Sequence, residues 1–203
     1  MIASSDGYFL KRIFEDSKLS KTSSFYGVYY LNESDTKYWL SHLETESAIT
    51  ALKLTKSQID FIWKYMGGSM WEISDLLGKL ISCSKKNKVS DELLNDKIQK
   101  KIEENCARFE HYSGLSEKRG VLLQEIYNCC SRDNHFKPRD MKPLVKNNIF
   151  DENELSQELN RLVQLNYLAF DPTRSTLQLQ GNTMFYGLQA FIKLTGAEHG
   201  KQI

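Results

Sequence analysis

Two consecutive glycines, Gly67-Gly68, stand between two stretches that each carry the signature of a helix, and no other feature of the chain restricts its fold as much. Before them, Thr55-Lys56-Ser57-Gln58 has the form of a capping box, and Ile59, Ile62, Trp63 and Met66 recur at i, i+3, i+4 and i+7. That pattern specifies both the start of a helix and its buried face. After them, Ser69-Met70-Trp71-Glu72 repeats the capping box, and Ile73, Leu76, Leu77 and Leu80 repeat the apolar spacing. The glycines stop the first helix and start the second within a turn of two residues, which brings the two helix ends together. Trp63 and Trp71 read as core anchors ahead of adenine stackers.

Upstream, Phe9, Leu10, Ile13 and Phe14 fall on one helical face over Ser5–Asp16, with Ser4 or Ser5 as cap. Phe25-Tyr26-Gly27-Val28-Tyr29-Tyr30-Leu31 is rich in aromatic and β-branched residues and reads as a buried strand. Asn32 to Ser34 offer caps for a helix that points Trp39, Leu40 and Leu43 one way. Lys85 to Glu104 carries six lysines against five acids with sparse apolar positions, the pattern of a solvated helix or connector. A domain boundary is expected near Ser113 to Arg119.

From Gly120 the order changes. Leu122, Leu123, Ile126, Tyr127 and Cys130 make one helical face, Met141, Leu144 and Val145 suggest a short second helix, and Asp151 caps a third that buries Leu155, Leu159, Leu162 and Val163. Leu168 and Phe170 then alternate before Asp171-Pro172-Thr173-Arg174-Ser175, and Leu177 and Leu179 alternate after it, as in a hairpin. Three helices and a hairpin in this order predict a winged helix. A last amphipathic helix, Met184 to Leu194, is expected to pack on it, followed by a frayed tail. The fold class is therefore mainly α with minor β, an α+β chain.

Enzyme motifs are incomplete. The chain has no G-x-x-x-x-G-K-[ST] loop to wrap phosphates with backbone N–H groups, no H-E-x-x-H and no G-x-S-x-G, and His42, His111, His135 and His199 lack ligand spacing. Cys83, Cys106, Cys129 and Cys130 form no C-x-x-C pair and read as reduced thiols. With 27 Lys and Arg against 26 Asp and Glu, the chain as a whole is not a polyanion binder, so any nucleic-acid contact needs a local patch. No apolar run approaches the roughly 20 residues that cross a bilayer, and there is no signal-peptide pattern, so the expectation is a cytoplasmic protein without membrane contact.

Two motifs carry a resemblance: Ser4-Ser5-Asp6-Gly7-Tyr8-Phe9-Leu10-Lys11-Arg12-Ile13, and Gly67-Gly68-Ser69-Met70-Trp71-Glu72-Ile73. With the strand between them and the winged helix behind them, residues 1 to about 195 resemble the C-terminal part of archaeal-type P-loop ATPases of the AAA+/STAND group. The resemblance implies that residues 1–50 are the end of a nucleotide-binding core, a remnant of one helix and one strand, that 51–112 are a helical lid, and that 113–203 are the winged-helix domain. It implies that Ser4 and Ser5 occupy the polar sensor position facing the γ-phosphate, that Arg12 is placed as an arginine finger, and that Gly67, Gly68, Ser69, Met70 and Trp71 form the lid turn lying against the adenine end of the nucleotide. Met70 stands where the group usually has proline. The intact family member uses ATP and magnesium, but the Walker A and Walker B motifs that hold them are absent from this sequence. The chain alone is therefore expected to bring no cofactor and no catalysis, as a fragment or split gene product whose partner is an N-terminal ATPase core or another protein.

The winged helix presents a choice. Its candidate recognition helix, Asp151 to Leu165, sets Asp151, Glu152, Glu154 and Glu158 against Arg161, a face that phosphates would be repelled by. That favours docking on a protein surface. Lys137, Arg139, Lys142 and Lys146 outweigh Asp140 on the preceding segment, and Arg174 sits at the wing tip, so the alternative is a stand-alone winged-helix transcriptional regulator holding a DNA backbone with these five cations.

Overall fold

The computed structural model describes residues 30–83, 88–171 and 174–199. The architecture is mainly helical with one small antiparallel sheet. Two compact units emerge: Tyr29–Ala107 with Gly181–Ala190, and Arg108–Gln180 with residues from Phe191 onward. Ser4, Ser5, Arg12, the helix expected over Ser5–Asp16 and most of the strand expected over Phe25–Leu31 lie outside the described residues. The two strand positions that are described, Tyr30 and Leu31, are not in a strand.

The first unit opens with α1 (Glu33–Ser41) and α2 (Leu43–Ser47). Asn32 caps α1, its side-chain oxygen accepting the Asp35 N–H at 2.9 Å. Next, α3 (Lys56–Met66) begins at a complete Thr55/Gln58 capping box and ends at Gly67, whose N–H bonds Trp63 O at 2.8 Å. After the two-glycine turn comes α4 (Met70–Cys83), then α5 (Asp91–Ser113). The core joins Leu40 and Leu43, Ile59, Ile62 and Met66, Ile73, Leu76, Leu77 and Leu80, and Leu94, Ile98 and Ile102. The expected solvated helix or connector is a helix over Asp91–Ser113, and the last three residues correct the expectation that it is solvated. Apolar positions four apart, sparse among lysines and acids, still make a continuous buried stripe on a long helix. Trp63 is only half-buried, with Ile59, Ile62 and Met66 doing the packing on α3.

In the second unit, α6 (Glu117–Asp133) buries Leu122, Leu123, Ile126, Cys129 and Cys130, and Asn134 in the left-handed region ends it. A 3-10 turn (Pro138–Met141) leads into α7 (Lys142–Lys146), and Asp151 caps α8 (Glu152–Gln164) by accepting the Glu154 N–H at 2.7 Å. The hairpin pairs β1 (Leu168–Asp171) with β2 (Thr176–Leu179) in the register Leu168 with Leu179 and Phe170 with Leu177. Phe136 adds an antiparallel bridge to Leu177, with N–H···O distances of 2.8 and 2.7 Å. Phe109, at the end of α5, meets Tyr167 edge-on at 5.0 Å and lies 6.5 Å from Phe191. The final helix, α9 (Asn182–His199), is longer at both ends than the expected Met184–Leu194, and its residues up to Ala190 belong to the first unit.

Candidate functional site

The turn at Gly67-Gly68 is specified by backbone geometry at both residues. Gly67 has φ 59° and ψ −142°, a conformation that residues with a Cβ rarely adopt. Gly68 faces the chain just ahead of α1: Leu31 donates its N–H to Gly68 O at 3.0 Å, and a Cβ on residue 68 would stand 1.8 Å from Leu31 O. Ser69 is buried and accepts the Glu72 N–H on its hydroxyl at 3.4 Å. Beyond it, Met70 is 44% and Trp71 72% exposed. This corrects the expectation that Trp71 anchors the core. Ile73, Leu76, Leu77 and Leu80 fill the apolar face of α4, and Trp71 points away from it with Lys101 Nζ 5.7 Å from its ring centroid.

Only half of the second capping box forms. Instead of returning to the Ser69 backbone, the Glu72 carboxylate turns into the first unit. Its Oε1 accepts a short hydrogen bond from Thr183 Oγ1, which itself accepts one from Asn105 Nδ2 at 3.0 Å. Glu72 Oε2 is buried with no partner and abuts Gly181, where a Cβ would lie 2.8 Å from it and φ is +85°. Burial pushes the Glu72 pKa above the ordinary carboxylate range, more than the Thr183 hydrogen bond and the Lys101 charge pull it down. A core carboxyl thus ties the first turn of α4 to α5 and α9.

The second candidate surface is the exposed side of α7 and α8. Two of the four acids that the sequence places there do not project as free charges. Arg119 grips Glu158 with two hydrogen bonds, Nε to Oε2 at 2.9 Å and Nη2 to Oε1 at 2.7 Å, and Tyr112 donates to Oε2 at 2.5 Å. Burial raises the Glu158 pKa, but the Arg119 and Tyr112 hydrogen bonds outweigh it and hold the carboxyl below its usual range. Lys118 Nζ lies 2.9 Å from both oxygens of Glu154. Asp151 is engaged as the helix cap. What α8 presents to solvent is Glu152 and Arg161 among Asn153, Ser156, Gln157 and Gln164. The Glu158 charge is therefore taken up by a mostly buried partner 39 residues away, whereas Lys118 offsets Glu154 only through an exposed pair and Glu152 remains free of an ion pair among the described residues.

The five candidate phosphate contacts are all on this unit. Lys142 and Lys146 are exposed and make no ion pair among the described residues. Arg139 and Arg174 are 69% and 75% exposed and only loosely approached by Asp140 at 4.0 Å and Asp171 at 3.9 Å. Lys137 is half-buried, and its N–H is capped by Asp140 at 2.7 Å. Arg139, Lys142 and Val145 face Leu155 and Leu159 of α8 across a cleft of about 180 Å³ that Phe170 helps to line. Sequence reasoning missed Lys118, Arg119 and Glu72, because long-range pairing leaves no local pattern.

No group of three or more His, Cys, Asp or Glu among the described residues is arranged to hold a metal, and no described helix is long and apolar enough to cross a membrane. No family model, curated protein or solved structure matches the chain.

Proposed function

We propose that this chain is the helical lid and winged-helix region of an archaeal-type P-loop ATPase of the AAA+/STAND group, an interaction and nucleotide-sensing region that performs no hydrolysis by itself. The observation that supports it is the clamped turn. Gly67 ends α3 and Gly68 holds the turn against the backbone at Leu31, so a lid hinged there moves with the segment that, in this reading, leaves the nucleotide-binding core. Met70 and Trp71 are exposed beyond that turn, and in this reading they meet an adenine supplied by another domain. Ser4, Ser5 and Arg12 belong to the same reading as γ-phosphate contacts, with ATP and magnesium held by an ATPase core.

The test is to add the chain to the phosphate-loop domain of an ATPase of this group and follow a fluorescent ATP analogue. Tighter binding with the chain present, reduced by Trp71→Ala, is the expected result. Equal affinity with and without the chain overturns the reading.

A second reading, a winged-helix regulator that contacts duplex DNA, is favoured by the neutralisation of Glu154 and Glu158 on α8. With Glu158 taken up and Glu154 offset by Lys118, the helix offers Glu152 together with Asn, Gln, Ser and Arg side chains, which have the hydrogen-bonding groups that base edges require. Arg139, Lys142, Lys146, Arg174 and Lys137 flank it with positive charge. Duplex binding that weakens steeply with salt, and weakens further on reversal of Arg139 and Lys142, supports this reading, and salt-independent binding refutes it.

A further inference from the structure

The first unit carries a groove between α4 and α5 that the lid reading touches only at Trp71. Along α4, Trp71, Asp75, Gly78, Lys79 and Ser82 follow one another at helical spacing, and α5 faces them with Lys97, Lys100 and Lys101. The two helices enclose an open groove of about 640 Å³, lined by these lysines with Asp75 and Glu104 as its acids. Its lining on α4 runs from Asp75 to Cys83, roughly 12 Å at 1.5 Å per residue, and Trp71 lies one helical turn before Asp75. Gly78 leaves its middle unobstructed, since a Cβ there would meet nothing within 4 Å. Trp71, 72% exposed, lies just outside the groove and is joined to it by Lys101, which lines the groove and stands beside the Trp71 ring.

We propose that this groove binds single-stranded nucleic acid, with a base stacked on Trp71 and the phosphates following Lys101, Lys97, Lys100 and Lys79. A basic track combined with an exposed aromatic is the arrangement by which strands are held without reading sequence. Each lysine has an acidic neighbour: Lys79 with Asp75 at 2.7 Å, Lys97 and Lys100 with Asp96 at 3.4 and 3.2 Å, Lys101 with Glu104 at 3.6 Å. All are contacts between neighbours on one helix at a wet surface, where such pairs are weak and a phosphate can exchange for the carboxylate. The choice of a single strand follows from the geometry. A duplex keeps its base faces stacked inside and offers Trp71 none, whereas a lone nucleotide fills only the Trp71 end of the groove. This site shares Trp71 with the lid reading, and the lysines Lys79, Lys97 and Lys100 separate the two, because the lid reading gives them no part.

The experiment is fluorescence anisotropy of a labelled twelve-nucleotide oligothymidylate with the full chain. Binding is expected, with log K falling against log salt at a slope of about −2 to −3 for three or four phosphates neutralised on a single strand. Trp71→Ala, at an exposed position, should weaken it about 5- to 150-fold while Trp71→Phe restores most of it. Lys97→Glu with Lys100→Glu should weaken it and flatten the slope, whereas Arg139→Glu with Lys142→Glu, on the other unit, should leave it unchanged. Absence of binding at low salt overturns the proposal, as does unchanged affinity in Trp71→Ala with far-UV circular dichroism showing an intact fold. Displacement of the strand by ATP at concentrations matching its own nucleotides overturns it too, since one nucleotide would then suffice.

Discussion

Replacing Gly68 by alanine should unfold the first unit far more easily than its chemistry suggests, because the obstacle is backbone. The added Cβ would lie 1.8 Å from Leu31 O and 2.6 Å from Leu31 C, so it is about 1.6 Å short of the 3.4 Å at which ordinary contact begins. No rotamer change relieves a clash with a peptide group; Leu31 must retreat. Its retreat breaks the Leu31 N–H to Gly68 O bond, worth about 1 kcal/mol. It also drags Asn32, whose side chain caps α1 and is worth about another 1 kcal/mol. With repacking of Leu40 and Leu43 behind the cap, the loss is about 2–4 kcal/mol. That corresponds to a fall in Tm of roughly 4–15 °C for a chain of this size. Two other glycines calibrate the size of this effect. Gly67→Ala, strained by its φ of 59° but facing only the Asn182 side chain at 3.1 Å, should cost about 1–3 kcal/mol. Gly78→Ala, in an open helix interior, should stabilise by about 0.5–1 kcal/mol. Trp39, Trp63 and Trp71 are the chain's three tryptophans and all belong to this unit, so tryptophan fluorescence during urea or thermal unfolding reports on it selectively. Gly68→Ala melting at the wild-type midpoint would refute the close-approach explanation.

Four other outcomes follow from the same geometry. Because burial holds the Glu72 pKa above its unfolded value, its contribution is present at acid pH and is lost as pH rises through the folded pKa; Glu72→Gln should flatten that decline and match or exceed wild-type stability at pH 8, measured by urea titration at several pH values. Glu158 behaves oppositely, its lowered pKa stabilising the second unit above the unfolded carboxyl range and failing as pH falls through the folded value. Arg119→Ala, which strands a nearly buried Glu158, should therefore cost about 2–4 kcal/mol at pH 7, seen as a lower far-UV unfolding midpoint, and the loss should shrink in acid. A thiol reagent should modify Cys83 quickly in the native chain and Cys106, Cys129 and Cys130 only on unfolding, since those three are buried and burial pushes the Cys130 pKa up to about 12. In duplex-DNA titrations, Arg139→Glu with Lys142→Glu should lower affinity and reduce the salt slope by about 0.9 for each phosphate that is no longer neutralised.

Local signals carry much of the architecture. Thr55 and Gln58, Asn32, Asp151 and Gly67 each act within four residues of themselves, and the helices begin and end where these residues dictate. The hairpin is equally readable from alternation around Leu168, Phe170, Leu177 and Leu179. What escapes depends on distance in the chain. Glu72 looks like the far half of a capping box until Thr183, 111 residues on, offers it a hydroxyl. Glu154 and Glu158 look like repulsive charge until Lys118 and Arg119 are folded against them. Trp71 looks like a core residue because it is large and apolar, yet its neighbours on α4 already fill the core. The Phe136 bridge is a single residue pair, too short to leave a period in sequence.

The most direct test of the account is a side-by-side titration of the purified chain with a fluorescent ATP analogue and with random duplex DNA at low and moderate salt. On the proposed reading the chain, whose sequence carries no phosphate-binding loop motif, should bind the analogue poorly on its own, while any duplex binding through α7 and α8 should collapse as salt rises. Saturable, tight binding of the analogue by this chain alone would contradict the central claim, because it would place a complete nucleotide site where the sequence provides no loop to hold the phosphates.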